Sequence, residues 1–578
     1  MAEIFHISFE RTLERLVAGA IAGKAFEAWT FDDRNSRRRA EQALAAKGIT
    51  ARFRSAYKPL LCFFREEVEL SAVEAIEIRY PVHSAAPENR FRLEAYPLAG
   101  LVGAARIDFL PRADEGLFYD VTLRRAGKVE THRVLAPNRV HGDAVGQTNL
   151  SPTGWLRIAG ETQGESLETD YEALFEASIR AVTDHAWGDE EPYFEEMNIR
   201  VSHPADDEPL PLGCEVMSLR EALHEDLYFS LLEYFQHKSG RPLGDRGLKP
   251  GQIVPEIVRG EAEVSVRIAT RPLSTAFLDG EDQDIDTAQE PLAARQIAAR
   301  LEDIGGDTFI AHARSGRTVA ARYIRGSDLP VMISGGQHPN ETTGIVGALR
   351  AAARLKDVAA SAHFTISPLE NPDGYAIHQR LRRDNPRHMH HAARYTALGD
   401  DLEYRTVENA GVHLNEKQIR FEAQAMSGAQ LHINLHGYPS HEWTRPLSGY
   451  VPRGFGMWTL PKGFFLIMHH HPNFEEQAEI LLDRVTRHLG KIPGLLAYND
   501  RQIALCEIHA GQTGFRIING FPCLCSVDDR HTVPMTLIAE YPDETIYGDA
   551  FIAGHEAQMQ TVLSAYQAWQ EIGAARIA

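Results

Sequence analysis

Leu329-Pro-Val-Met-Ile-Ser334 is an apolar run that passes through Gly335-Gly-Gln337 into His338-Pro339-Asn340-Glu341, and a stretch with helical spacing follows. The run reads as a strand and the stretch as a helix from about Thr342 to Lys356, so the polar quartet falls at a strand end, where open α/β sheets place ligand sites. A His and a Glu three residues apart can turn toward one point and offer a nitrogen and a carboxylate oxygen to one metal ion. Zinc in hydrolases takes few protein ligands and keeps one position for water, so a third ligand should come from elsewhere in the fold. Leu431-His-Ile-Asn-Leu-His436-Gly437 ends another apolar strand in a histidine, and Met535-Thr-Leu-Ile-Ala-Glu540 ends a third in a carboxylate. This pattern points to His338, Glu341 and His436 around a single zinc ion, with Glu540 beside them as general base and acid.

Outward from this stretch, Leu292 to Ile304 carries apolar residues at helical spacing. Thr308–Arg314 and Thr318–Ile324 alternate around Ser315-Gly316-Arg317, a hairpin signature. A further strand, His363–Pro368, opens into an expected loop at Asn371-Pro372-Asp373-Gly374-Tyr375. Strands alternating with helices predict an α/β fold with a largely parallel or mixed sheet covered on both faces. The acidic run Phe277-Leu-Asp-Gly-Glu-Asp-Gln-Asp-Ile-Asp286 cannot bury itself and reads as a linker. It divides the chain into an α+β region, 1–285, of one or two units and unassigned role, and a catalytic domain, 286–578. Within the first, Ala75–Tyr80, Phe118–Leu123 and Ala262–Ala269 read as strands, and Leu167–His185 and Leu219–Gln236 as helices.

The chain of 578 residues is 43% hydrophobic and 24% charged, enough for a large core without disulfides. Its net charge of −20 argues against binding a phosphate backbone, which needs concentrated positive charge. No segment reads as a signal peptide or a membrane span, and five sparse cysteines suit a reduced compartment, so a cytoplasmic protein is expected. Cys523-x-Cys525 lacks a second pair and reads as two small strand residues.

Several other side chains compete for roles. A cation near the scissile carbonyl would stabilise an oxyanion, and Arg380-Leu-Arg382-Arg383 is the obvious source. Arg445, in His436-Gly-Tyr-Pro-Ser-His-Glu-Trp-Thr-Arg445, is a candidate for gripping an anionic substrate group. The runs His388-Met-His390-His391 and His469-His-His471 read as loop or surface groups, because consecutive residues on a strand point to opposite faces. His432 faces the same side as His436 and reads as a satisfied core histidine, while His441 and Glu442 stay open between supporting and exposed positions.

Taken in order, Gly335-Gly-Gln-His338-Pro-Asn-Glu341, Asn371-Pro-Asp-Gly-Tyr375, Arg380-Leu-Arg-Arg383, Asn434-Leu-His436-Gly437 and Ala539-Glu540 resemble the zinc metallocarboxypeptidase family, the carboxypeptidase A-like hydrolases. The resemblance covers about residues 290–560. It implies an α/β sandwich with a mixed, mostly eight-stranded sheet, zinc on His338, Glu341 and His436, Glu540 as the catalytic glutamate and Arg383 as the arginine that polarises the carbonyl. The chain also departs from that family, whose Gly-x-Asp-Leu step continues as Asn-Arg and clamps the substrate's terminal carboxylate. Here Gly399-Asp-Asp401-Leu402 continues as Glu403-Tyr404-Arg405, so these three are the expected substrate-binding positions, with Arg405 replacing the clamp only through a register shift. The family's capping tyrosine is also missing, with Ile518 or Phe521 near its place. An acidic pocket at Glu403 suited to a basic or amidated group is therefore expected, on a zinc hydrolase of amide or peptide bonds that is not a standard C-terminal carboxypeptidase. The alternatives are a small-molecule N-acyl amino acid deacylase and a metal-binding regulatory protein without turnover. The expected partner is a peptide or amide-containing small molecule, with no nucleic acid and no membrane; homo-oligomerisation is left open.

Overall fold

The computed structural model describes residues 2–21, 23–161, 163–260, 263–358, 360–405, 415–512 and 514–577. A nine-stranded mixed sheet organises the second half of the chain, one strand more than the family resemblance implies. Across the sheet the strands run Asp307–His312, Thr318–Ile324, Phe364–Ser367, Val331–Gly335, Leu431–Tyr438, Met535–Pro542, Phe465–His470, Phe521–Val527 and Arg516–Ile518. The central four, from Phe364–Ser367 to Met535–Pro542, are mutually parallel, with antiparallel neighbours outside them. Parallel strands need crossover connections, and the helix Thr342–Val358 is one of them.

The two faces of the sheet follow from alternation along each strand. Val331, Ile333, Leu431, Ile433, Leu435, Leu537 and Ala539 pack under the helices Thr342–Val358, Glu475–Leu489 and Asp549–Ile577. Met332, Val319, Ala321 and Tyr323 face the other way, onto the helix Gln418–Ser427. Gly347 lets the first of these helices lie against the C-terminal one, since a Cβ there would sit 2.5 Å from that of Gln558. His432, Asn434, His436 and Glu540 alternate with Leu431, Ile433, Leu435 and Ala539 and so belong to the opposite face of the sheet.

Among the described residues the first half holds three four-stranded sheets and shorter pairs. Strands Ala75–Pro81 and Phe118–Arg125 and helices Asp170–Thr183 and Leu219–Lys238 lie where the sequence suggests. Thr169 closes a capping box with Glu172 at the start of the third of these elements. The strand expected over Ala262–Ala269 runs Val264–Arg271, and Ala262 lies outside the described residues. Asn371–Tyr375 is not a loop: Asn371 caps a helix, Pro372–Leu381, by accepting from the Gly374 amide at 2.9 Å, and Pro372 at its first position lacks only an N–H that would go unused.

The core of the first half does not stop at the acidic run. It continues into Ile377, Leu381, Met389, Tyr395, Trp443, Leu447 and Tyr450 of the second half. The helix Leu219–Lys238 lies along this seam and is buried on almost every side, carrying Glu221, Glu225, Asp226 and Glu233 inward. Each has a partner across the seam. Glu221 accepts from His441 Nε2 at 2.8 Å and from the Met389 amide at 2.6 Å; Glu225 meets His391 Nδ1; Asp226 accepts from the Leu447 amide at 2.8 Å and the Ser448 hydroxyl; Glu233 pairs with Arg445 at 2.8 Å. Buried polar groups persist when hydrogen-bonded in this way. His388, His390 and His391 are therefore buried, contrary to the surface reading, because the first half covers the segment that carries them.

Among the described residues no helix is long and apolar enough to cross a membrane.

Candidate metal centre

The candidate ligands arise at the carboxyl ends of adjacent parallel strands. The strand Val331–Gly335 has its sequential successor, Phe364–Ser367, on one side and Leu431–Tyr438 on the other. The strand order thus reverses at this point, which opens a crevice at the strand ends. Gly336 turns the chain out of the sheet with φ +62°, a left-handed conformation that suits glycine. A Cβ there would also crowd Leu369 at 2.9 Å and the Pro368 carbonyl at 3.1 Å. The turn closes with the Glu341 amide donating to the His338 carbonyl at 3.0 Å, which brings both side chains to the same side.

His338, Glu341 and His436 are buried and meet at one point. His338 Nδ1 lies 3.0 Å from Glu341 Oε1, His436 Nδ1 lies 3.1 Å from Glu341 Oε2, and the two Nδ1 atoms are 3.1 Å apart. A tetrahedral ion with ligand bonds of about 2.0–2.2 Å has edges of about 3.3–3.6 Å, so these atoms need only a small outward shift to surround one. Two imidazole nitrogens and a carboxylate are also a donor set that suits zinc. The residues fit the ion. Asp401 Oδ1 lies 3.2 Å from His338 Nε2 and fixes that ring, the supporting arrangement that metal-binding histidines use. His432 Nε2 meets the Ser334 hydroxyl at 2.7 Å beneath the centre, as a satisfied core histidine does.

Glu540 stands opposite His436 in the parallel register and lines the same cavity. Burial, reinforced by the negative Glu341 and opposed by His436, pushes its carboxyl up to about 8. A bound cation would pull it back down. For Glu341, burial opposes ionisation, but His338, Arg394 and His436 outweigh it and hold the carboxyl well below its usual range.

The cavity occupies about 820 Å³ including its open mouth. Trp443, Phe455, Trp458, Ile467 and Ile538 form its apolar walls. Tyr404 and Glu403 line it as the sequence suggests, and Glu403 lies against a group of basic side chains. Burial opposes the Glu403 charge, but Lys417, His531 and Arg420 outweigh it; His531 Nε2 is 3.0 Å away and Arg420 Nη1 3.3 Å.

The three arginines expected from sequence are elsewhere. Arg383 is exposed beyond the helix Pro372–Leu381 and does not line the cavity. Arg394 takes the place beside the centre, donating to Glu341 Oε1 at 2.6 Å and lying 3.9 Å from Glu544. Arg405 turns away into Asp400 and Glu416, at 2.6 and 2.7 Å. Arg445 is buried in the seam, on Glu233 and over the Phe229 ring. Arg394, Glu544 and Arg246 are residues that sequence reasoning missed, and no local motif marks them. Glu442, left open, pairs with Lys58 in the seam, and His441 with Glu221.

A second group, His469, Asp528 and His531, also brings three ligand atoms within 4.8 Å of one another. Asp528 is already engaged there, accepting from Arg530 Nε at 3.0 Å and Nη2 at 2.6 Å.

The chain matches no protein-family model, and no curated protein matches it. Solved structures similar to parts of it include a metallo-carboxypeptidase from Burkholderia cenocepacia, 13% identical at TM-score 0.30, covering 55% of this chain and 76% of that one. Carboxypeptidase A from Helicoverpa armigera is 10% identical at TM-score 0.30, covering 55% and 91%. An aspartoacylase family protein from Mesorhizobium loti is 14% identical at TM-score 0.23, covering 48% and 68%. At these scores the likenesses lend no weight to a function, which rests on the geometry of the centre alone.

Proposed function

We propose that the protein is a zinc-dependent hydrolase of amide or peptide bonds, with His338, Glu341 and His436 holding one zinc ion. The observation that carries this reading is the convergence of three buried ligand atoms, 3.0–3.1 Å apart, at the ends of neighbouring parallel strands. When bound, zinc supplies a Lewis acid and lowers the pKa of its water to about 7. Glu540, on the adjacent strand, accepts the proton of the attacking water at its carboxylate and passes it to the leaving nitrogen. Arg394, rather than Arg383, offers its guanidinium to the carbonyl oxygen as charge develops there. Asp401 keeps the His338 ring oriented. Trp443 and Phe455 shield the reacting groups from bulk water, which strengthens each electrostatic contact.

A small amide, such as an N-acyl amino acid, is the favoured substrate over a long peptide. The supporting feature is that both halves of the chain wall the cavity, with the Arg246 guanidinium of the first half 4.7 Å from the ring centre of Phe455 and Trp458 beside them in the lining. The regulatory alternative would have no use for a carboxylate at position 540.

Metal analysis of the purified protein and turnover of N-acyl amino acids test the proposal together. Glu540→Gln is expected to keep one zinc per chain and lose roughly 10²–10⁴-fold in kcat. Absence of bound zinc after loading, or unchanged turnover in Glu540→Gln, overturns it.

A further inference from the structure

Among the described residues three guanidinium groups line the cavity, and two of them make close ion pairs: Arg394 donates to Glu341 at 2.6 Å, and Arg530 to both oxygens of Asp528. Arg246 differs. Its one ion pair among the described residues is a long one, Nη1 to Asp401 Oδ2 at 3.6 Å, while the other oxygen of Asp401 serves His338 and the Glu403 amide, the latter at 3.0 Å. Yet Arg246 is not a loose surface group. Its guanidinium lies 4.7 Å from the ring centre of Phe455 and 5.3 Å from that of Tyr404, two aromatic faces that hold a planar cation in place. Its backbone is tied to the same wall, because the Asp401 amide donates to the Arg246 carbonyl at 3.1 Å and the Gly251 amide to Leu398 at 2.9 Å.

We propose that Arg246, carried by the first half of the chain, is the specificity residue that binds an anionic group of the substrate, in the simplest case a carboxylate. This rests on the hydrolase reading above and deepens it: the first half completes the substrate pocket. The physical reason is a positioned guanidinium with unspent donors facing a cavity, where a carboxylate forms paired, charge-assisted hydrogen bonds. Glu403 would repel such a group if it stood alone, but its charge is met from behind by Arg420 and His531. The apolar walls then receive the uncharged body of the substrate.

The test uses zinc-loaded full-length Glu540→Gln protein, in which turnover is blocked, with N-benzoylphenylalanine and its primary amide as probes in calorimetry. The acid is expected to bind about tenfold or more tightly than the amide. Arg246→Gln should weaken the acid by about ten- to a hundredfold and the amide by less than about threefold, with zinc content unchanged. Arg246→Lys, which keeps the charge but not the fork, should fall between them. Equal affinity for acid and amide, binding of neither, or an equal loss of both in Arg246→Gln overturns the assignment while leaving the zinc site standing. A chain that holds no zinc sinks the hydrolase reading itself, and that result is read from the metal analysis before any probe is added.

Discussion

The metal centre and the seam along Leu219–Lys238 are both buried, polar and rich in carboxylates and histidines, and they differ in how their groups are matched. In the seam each carboxylate meets its own donor: Glu221 with His441, Glu225 with His391, Asp226 with the Leu447 amide, Glu233 with Arg445. At the centre, two imidazole nitrogens and a carboxylate crowd one another around a shared point. Buried polar groups matched one to one are what folding alone requires. Ligand atoms that converge without dividing into pairs have a different purpose, which a cation would satisfy. Counting buried charges does not separate these cases; tracing each charge to its partner does.

The largest expected effect breaks the comparison on the catalytic side. Arg394→Gln should lower kcat for an amide substrate by roughly 10²–10³-fold, as loss of a transition-state donor does. Arg383→Gln should leave both turnover and thermal stability unchanged, within about 0.5 kcal/mol for an exposed position. Steady-state kinetics of the two variants decide which arginine acts, and equal effects would count against Arg394.

On the structural side, Arg445→Met should destabilise the fold by about 3 kcal/mol or more, because it leaves part of Glu233 buried without its partner. Arg453, which also reaches Glu233 at 2.5 Å, limits the loss. Zinc content per folded molecule should not change. Denaturant unfolding with metal analysis checks both statements, and loss of zinc in the folded variant would merge two regions that the comparison keeps apart.

A subtler expectation concerns pH. Burial pushes the Asp226 carboxyl up to about 7, against the pull of Ser448, the Leu447 amide and Arg445. An aspartate in the unfolded chain titrates near 3.9. Below about pH 4 both states hold the proton and the group is neutral in its effect. Between about pH 4 and 7 the unfolded chain releases its proton while the folded chain keeps it, so stability from this group falls as pH rises and levels off above about 7. Asp226→Asn removes that loss. The melting temperature of the variant relative to the parent should therefore rise from pH 5 to pH 8, by an amount worth at most a few kcal/mol. A difference that stays constant or shrinks over that range would show the aspartate to be charged in the folded protein.

Much of the second half was legible in order along the chain. The hairpin around Ser315-Gly316-Arg317, the strand before His338 and the helix from Thr342 occupy their expected places, and the strands expected to end at His436 and Glu540 each run two residues further, to Tyr438 and Pro542. These elements carry their own periodicity, set by which side of a strand or helix must be buried. The misreadings share another cause. Arg383, Arg405 and Arg445 are short chain distances from plausible sites, and arginine is as often a structural partner as a ligand. Asn371–Tyr375 has loop composition, yet Asn, Pro and Gly also begin helices, and only the cap hydrogen bond separates the two.

The amino-acid order by itself determined which segments become strands and helices, which of their ends carry histidine or carboxylate, and hence the four groups that deserve attention: His338, Glu341, His436 and Glu540. Only the tertiary structure decided which cations stand beside them. Arg394 reaches the centre and Arg383 does not, and Arg246 arrives from the other half of the chain altogether. The reason is that periodicity is a property of neighbours along the chain, whereas the partner of a buried charge is chosen by topology and packing, across separations that local pattern cannot encode.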